Sequence, residues 1–259
     1  MTLTRILADS VTILGYDAPL EHAKFWVSVL GFVGTVAALT FAAWQYRRAD
    51  KWRRAEFVAK EIKDFEESPA VRNVMAMIDW TEREINVFLD PALPKNEWPD
   101  IDRGILWRAL LPHTIKGNDP AWQDPGGASG PVDGENERGR FSAREAALRD
   151  TFDDFFDYLE RFGNFIASSL VTPREFRAYL KYWIDDLAAD QGNEDDAKWR
   201  CATLTYIHFY GFKGVRRLFR DLGHDIGPEG RLFKDLGARM KDPALFEALT
   251  TQAKRGGYL

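Results

Sequence analysis

The chain has 259 residues, a net charge of −5 and an aromatic content of 14% that includes nine Trp. That length suits one well-filled domain beside an anchor. With a single cysteine, Cys201, the chain forms no intrachain disulfide, which fits a reducing compartment; the expected place of that thiol is the core, as a small apolar residue.

Residues 25–45, FWVSVLGFVGTVAALTFAAWQ, contain no charged side chain. At about 1.5 Å rise per residue they predict a helix just long enough to cross the roughly 30 Å hydrocarbon core of a bilayer. Trp26 at one end and Trp44 with Tyr46 at the other bracket the span with rings that prefer the headgroup level. The net charge divides into −1 for residues 1–24, +4 for residues 46–54 and −8 for residues 55–259. Collar cations such as Arg47, Arg48, Lys51, Arg53 and Arg54 are retained on the cytoplasmic side. The expected topology therefore puts the short N-terminus, residues 1–24, outside and the large C-terminal part inside. The same five residues attract anionic lipid headgroups at about 1 kcal/mol each near the surface. A cleaved secretory signal is the rival reading, but the apolar run exceeds an h-region of about 7–15 residues and no clear A-x-A site follows it. Gly34, Ala38 and Ala42 fall at i, i+4 and i+8, with Gly31 nearby. Such a stripe lets a second helix approach closely, so a homodimer through the spanning helix is one expected partner; the abundance of Gly and Ala in such helices is the competing explanation.

Beyond the collar, Ala55, Val58, Ile62 and Phe65 recur at helical spacing. Residues 46–67 therefore read as a basic juxtamembrane helix with one narrow buried seam, which would extend pairing of two copies as a short parallel coiled coil. Residues 68–259 read as a cytosolic helical domain. Ser68-Pro69 caps a helix through Val71, Val74, Ile78, Ile85 and Leu89, ending near Asp90-Pro91. From Pro91 to Arg140 the order weakens, with one short helix around residues 105–111 and a long Gly/Pro-rich loop over residues 113–140. Trp98, Trp107 and Trp122 are expected to pin parts of this stretch to the core, as a packed connector or as a binding loop.

Helices return at Ser142, which forms a capping box with Glu145; Leu148, Phe152, Phe155, Leu159, Phe162 and Ile166 then follow along one face. Thr172 and Glu175 open the next helix, with Phe176, Tyr179, Leu180, Trp183 and Leu187 inward. Past an acidic loop around residues 191–196, residues 199–210 and 215–222 read as two more, and Asp242-Pro243 caps a terminal one. No stretch alternates with period two. The fold class is all-α: one N-terminal transmembrane helix followed by a cytosolic helical bundle.

Asp153-Asp154-Phe155-Phe156-Asp157 matches the DDxxD pattern of terpenoid synthases, whose helix-borne carboxylates bind the Mg²⁺ that holds a substrate diphosphate. At about 100° per residue the three Asp lie more than about 120° from the apolar seam, the place of a solvated face. The second metal motif of that family is missing, since Asp185-Asp186-Leu187 lacks the hydroxyl and carboxylate that should follow. His22, His113, His208 and His224 are scattered and have no Cys partners, a poor zinc set. His208, within YIHFYGF, reads as a hydrogen-bonded core or interface histidine, and Gly223-His224-Asp225 as a turn. No P-loop, GxGxxG or GxSxG occurs. The −8 of residues 55–259 speaks against nucleic acid, and the local patch Lys213, Arg216, Arg217 and Arg220 reads as a solvated helix face paired with acidic neighbours. No cofactor is expected.

This order of short N-terminus, span, basic collar and helical domain, with LERFGNFIASSLVTPREFRAYLKYW over residues 159–183, resembles a family of uncharacterised bacterial single-pass inner-membrane proteins with a helical cytosolic domain. The resemblance covers the anchor and that segment. It implies the inner membrane of a bacterium and a helical fold, and it transfers no catalytic residue. The leading expectation is a membrane-anchored interaction, sensor or effector module with a protein partner on the cytoplasmic face. The alternative is a Mg²⁺-dependent enzyme acting on a lipidic or diphosphate substrate through Asp153, Asp154 and Asp157.

Overall fold

A computed structural model of the chain describes residues 18–116 and 141–256. The described residues form α1 (Ala18–Glu67), α2 (Pro69–Asp79), α3 (Arg103–Ala109), α4 (His113–Lys116), α5 (Ala143–Ala167), α6 (Pro173–Leu187), α7 (Glu194–Phe209), α8 (Lys213–Leu222), α9 (Arg231–Met240) and α10 (Pro243–Arg255). One antiparallel ribbon, β1 (Glu82–Glu84) with β2 (Asp100–Asp102), sets Arg83 opposite Ile101. The fold is all-α, as predicted. The chain divides into two compact units, Met1–Ala55 and Glu56–Leu259.

In the first unit, α1 carries a stretch long and apolar enough to cross a membrane. Its large side chains point outward, with Phe32 71% and Leu39 66% exposed. Its two threonine hydroxyls within the apolar stretch are satisfied inside the helix. Thr35 donates to the Gly31 carbonyl at 2.8 Å, and Thr40 donates to the Val36 and Ala37 carbonyls at 2.9 and 2.8 Å. That is what a hydrocarbon environment demands of a polar side chain, because no solvent is there to pair with it.

In the second unit, the end of α1 joins the core. Val58, Ile62 and Phe65 are buried, and the Phe65 ring lies 5.5–5.8 Å from those of Phe155, Tyr158 and Phe162 on α5. The seam that suggested a parallel coiled coil is therefore consumed inside the domain, while Ala55 stays exposed. Ser68 caps α2 as predicted, its hydroxyl accepting the Val71 N–H, with Pro69 at the first helical position. The helix ends at Asp79, well short of Asp90. Ile85 is nevertheless buried, together with Val87, in the arm that follows β1, so its helical spacing from Ile78 does not mark a helix, and Leu89, expected on the same face, is exposed. The stretch expected to lack order contains a short 3₁₀ turn (Lys95–Glu97), β2, α3 capped by Asp102, and α4. Residues 113–116 of the expected loop are thus helical, and residues 117–140, with Trp122, lie outside the described residues. Trp107 is buried and Trp98 half-buried, its indole N–H donating to the Leu93 carbonyl.

Two helices form the centre of the domain. Ser142 and Glu145 make the predicted capping box of α5, which buries Leu148, Phe152, Phe155, Phe156, Leu159 and Phe162. The backbone N–H and hydroxyl of Thr172 both donate to Glu175 at the start of α6. Along α6, Phe176, Leu180, Ile184 and Leu187 are buried, Trp183 is half-buried, and Tyr179 faces outward at 46% exposure, against expectation. The second central helix, α7, is buried from Trp199 to His208 with no polar face. It begins at Glu194 under an Asn193 cap, so the expected acidic loop is partly its first turn. Packing around it are α3, α8, α9 and α10; α9 was not legible in the sequence. Asp242 caps α10 through the Leu245 N–H at 3.0 Å, as predicted.

Between α5 and α8 the backbones touch. A Cβ on Gly163 would fall 2.1 Å from the Gly214 carbonyl oxygen, and one on Gly214 would fall 2.4 Å from that of Glu160. The Glu160 carboxylate also accepts the Val215 N–H at 2.9 Å, serving the first turn of α8, which has no side-chain cap of its own.

A buried polar junction is built on Arg103, which is 6% exposed. Its Nε donates to Asp196 Oδ1 at 3.0 Å, Nη1 to the Met77 carbonyl at 2.5 Å and Nη2 to the Ile78 carbonyl at 2.9 Å. The guanidinium lies 4.5 Å from the Trp199 ring centre. Arg103→Ala strips partners from a buried carboxylate and two carbonyls, and we expect a loss of about 3–5 kcal/mol. Arg103→Lys should recover little of it, because the three donors of an ammonium share one nitrogen and cannot span acceptors that meet three separate nitrogens of a planar guanidinium. Chemical denaturation of the full chain in detergent reads both; equal stability of Arg103→Ala and wild type would refute the assignment.

Candidate functional site

The first turns of α5, Phe141 just before it and α4 border a cavity of about 490 Å³ whose lining includes His113, Phe141, Ala146, Arg149, Asp150 and Asp153. Arg149 organises it. Its Nη1 donates to the carbonyls of Ala109 and Leu111 at 2.7 and 2.9 Å, and Nη2 donates to the Tyr210 hydroxyl at 2.5 Å. The guanidinium is caged by the rings of Phe141, Tyr206 and Tyr210 at 4.2, 4.9 and 5.4 Å. The Tyr210 hydroxyl lies 3.1 Å from Nδ1 of His113. Helix spacing brings this together, since Arg149 and Asp153 are one turn apart on α5 and Tyr206 and Tyr210 one turn apart on α7.

Of the three Asp in the DDxxD stretch, Asp154 and Asp157 are exposed as expected. Asp153 is not on a solvated face. It is half-buried and accepts a hydrogen bond from the Tyr206 hydroxyl at 2.6 Å. Burial pushes its carboxyl above the usual aspartate range, with Asp157 and Asp150 adding to the shift and the Tyr206 bond and Arg149 opposing it. Burial likewise pushes the Tyr206 phenol well up. The expectation failed because α5 buries Phe156 as well as the seam, which turns Asp153 toward α7. Among the described residues no group of three or more His, Cys, Asp or Glu side chains is placed to hold a metal ion. The cavity therefore presents a half-buried carboxyl beside the exposed Asp150, with the guanidinium of Arg149 committed to structure.

The other predicted positions fall as follows. Gly31, Gly34, Ala38 and Ala42 are exposed along α1, and nothing lies within 4 Å of a Cβ built on either glycine. In the collar, Arg47, Arg48, Lys51 and Arg53 are exposed; Arg54 pairs with Asp50 at 2.9 Å, and Arg48 stacks 5.5 Å over Trp44. Cys201 is fully buried, which pushes its thiol up to about 12. His208 is buried as expected. Its Nε2 donates to the Ile226 carbonyl at 2.8 Å, and burial holds its pKa below the ordinary histidine value. Gly223 ends α8 in the left-handed region at φ 106°, forming the predicted turn, and His224 pairs with Asp185 at 2.8 Å. Arg149 and the two tyrosines were missed; the signal available was an arginine one turn before Asp153 on a helix otherwise rich in buried Phe.

Comparison with protein-family models, with curated proteins and with solved structures finds no match to this chain.

Because the folded state raises the Asp153 pKa, this group favours folding most below the ordinary aspartate pKa of about 3.9 and loses that contribution as pH rises through the folded value. Asp153→Asn keeps an acceptor for Tyr206 without the buried charge. It should be at least as stable as wild type at neutral pH, and the difference should vanish below about pH 4. Tyr206→Phe removes the donor instead and should cost about 1–3 kcal/mol. Thermal unfolding of the full chain across pH checks both, and a marked loss of stability in Asp153→Asn at pH 7 would contradict the assignment.

Proposed function

We propose that the chain is a membrane-anchored helical module that works by protein contact on the cytoplasmic face of a bacterial membrane. The observation that carries this reading is the exposed apolar length of α1, with the hydroxyls of Thr35 and Thr40 closed on their own helix and five cations just beyond the C-terminal end of that apolar length. A water-exposed face of that size would be costly, whereas a bilayer covers it. The collar sets orientation and recruits anionic headgroups. A second copy of the chain is the partner that Gly31, Gly34, Ala38 and Ala42 would accept, because small residues let backbones meet where no hydrophobic force separates lipid from protein.

Full-length protein should sediment with membranes after detergent-free lysis. A C-terminal fluorescent reporter should be active, a C-terminal alkaline phosphatase silent, and replacement of all five collar cations by Gln should mix the two orientations. Intact, uncleaved chain in the supernatant would overturn the anchor. For the homodimer, Ala38→Cys should cross-link in native membranes and Val36→Cys, about half a turn round the helix, should not. Equal cross-linking at both positions would remove the stripe as the interface, and the buried Cys201 does not compete.

A further inference from the structure

The surface of α8 carries a feature the anchor does not explain. Lys213, Arg216, Arg217 and Arg220 fall within an arc of about 100° on this helix, opposite the buried Val215, Leu218, Phe219 and Leu222. Lys213 and Arg220 are exposed, and Arg216 and Arg217 are partly so. Many surface cations of the domain are matched by carboxylates: Lys181 by Asp185, Lys198 by Glu194, Arg231 by Asp235 and Lys254 by Glu229. None of the four on α8 has a carboxylate within ion-pair distance among the described residues. The one polar contact in the group is Arg216 Nη1 at 3.4 Å from His208 Nδ1. That ring nitrogen is an acceptor, since Nε2 carries the proton given to Ile226. The expected pairing of this patch with acidic neighbours is therefore not what the structure has.

We propose that this face of α8 docks the helical domain on the anionic headgroups of the bilayer in which the chain is anchored; the proposal rests on the anchored reading above. Residues 55–259 sum to −8, which would repel such a surface if all of it counted. At physiological salt the screening length is about 8 Å, against a radius of gyration of roughly 17 Å for a domain of this size. Only the near face is felt, and on α8 that face is positive, with Asp221 at its edge. Each cation near an anionic membrane multiplies binding by about fivefold. Four of them hold a free domain weakly, but a tether keeps the domain at high effective concentration beside the lipid, where a weak surface suffices.

The test uses full-length Asp221→Cys, spin-labelled at the edge of the stripe, since the native Cys201 thiol is buried and does not take the label. The protein is placed in lipid nanodiscs, either phosphatidylcholine alone or phosphatidylcholine with phosphatidylglycerol, each carrying a nickel-chelating headgroup as relaxing agent. Nickel relaxation of the label should be severalfold stronger in the anionic discs. It should fall to the neutral-disc level at about 1 M salt and in the variant with Lys213, Arg216, Arg217 and Arg220 all changed to Gln. Equal relaxation in the two discs, or an anionic effect that survives in the Gln variant, would overturn the proposal while leaving the anchor intact. Failure of the chain to enter discs at all would overturn the anchored reading and this one with it. Equal relaxation together with duplex oligonucleotide binding lost in the Gln variant would reassign the face to nucleic acid.

Discussion

One planar cation fixes the relation of three helices. Arg103 closes the C-terminal carbonyls of α2, opens α3 beside the Asp102 cap, and meets Asp196, whose other oxygen accepts the Asn193 N–H at the start of α7. Removing a charge from water costs several kcal/mol, and the cost is tolerable only when its donors find acceptors in good geometry. Here the Trp199 face supplies the remaining cover. The arrangement also explains why α2 stops where it does: the carbonyls that would receive the next turn of the helix are held by a guanidinium instead.

The same logic recurs at the other end of α3. Seven residues are too few for a helix to persist alone, and this one is held at its start by Arg103 and at its end by Arg149, which binds the carbonyls of Ala109 and Leu111. Beyond it, Lys116 pairs with Glu145 at 2.5 Å, both fully buried, so the carboxylate that completes the capping box of α5 also neutralises a cation. The aromatic cage and the acid-lined cavity stand between these anchored points. Their geometry is thus inherited from charges placed for structural reasons.

The sequence disclosed what is local. Caps at Ser68, Ser142 and Asp242 were readable because a cap is chemistry between residues three apart. The long apolar helix was readable because its composition marks one continuous segment. What failed was long-range. The helix over residues 199–210 was legible and is the body of α7, but enclosed on all sides it has no polar face, so no period told which neighbours surround it. The seam of Val58, Ile62 and Phe65 announced a buried stripe but not its partner, which turned out to be α5. Ile85 kept a helical spacing by coincidence after the chain had left α2. Asp153 was misplaced because the second apolar row on α5, marked by Phe156, became visible only once α7 and α8 had packed against it.

The contact between Gly163 and Gly214 has a bearing on how the domain meets its surroundings. With the Glu160 carbonyl of α5 resting against the bare Cα of Gly214 on α8, and the Gly214 carbonyl against the bare Cα of Gly163 on α5, that short helix cannot roll about its own axis or slide along its neighbour without collision. Rotational freedom is what a cationic segment needs to hide its charge among nearby acids, and here it has none. The compass bearing of the arginines is set by two hydrogen atoms where other residues would carry methyl groups.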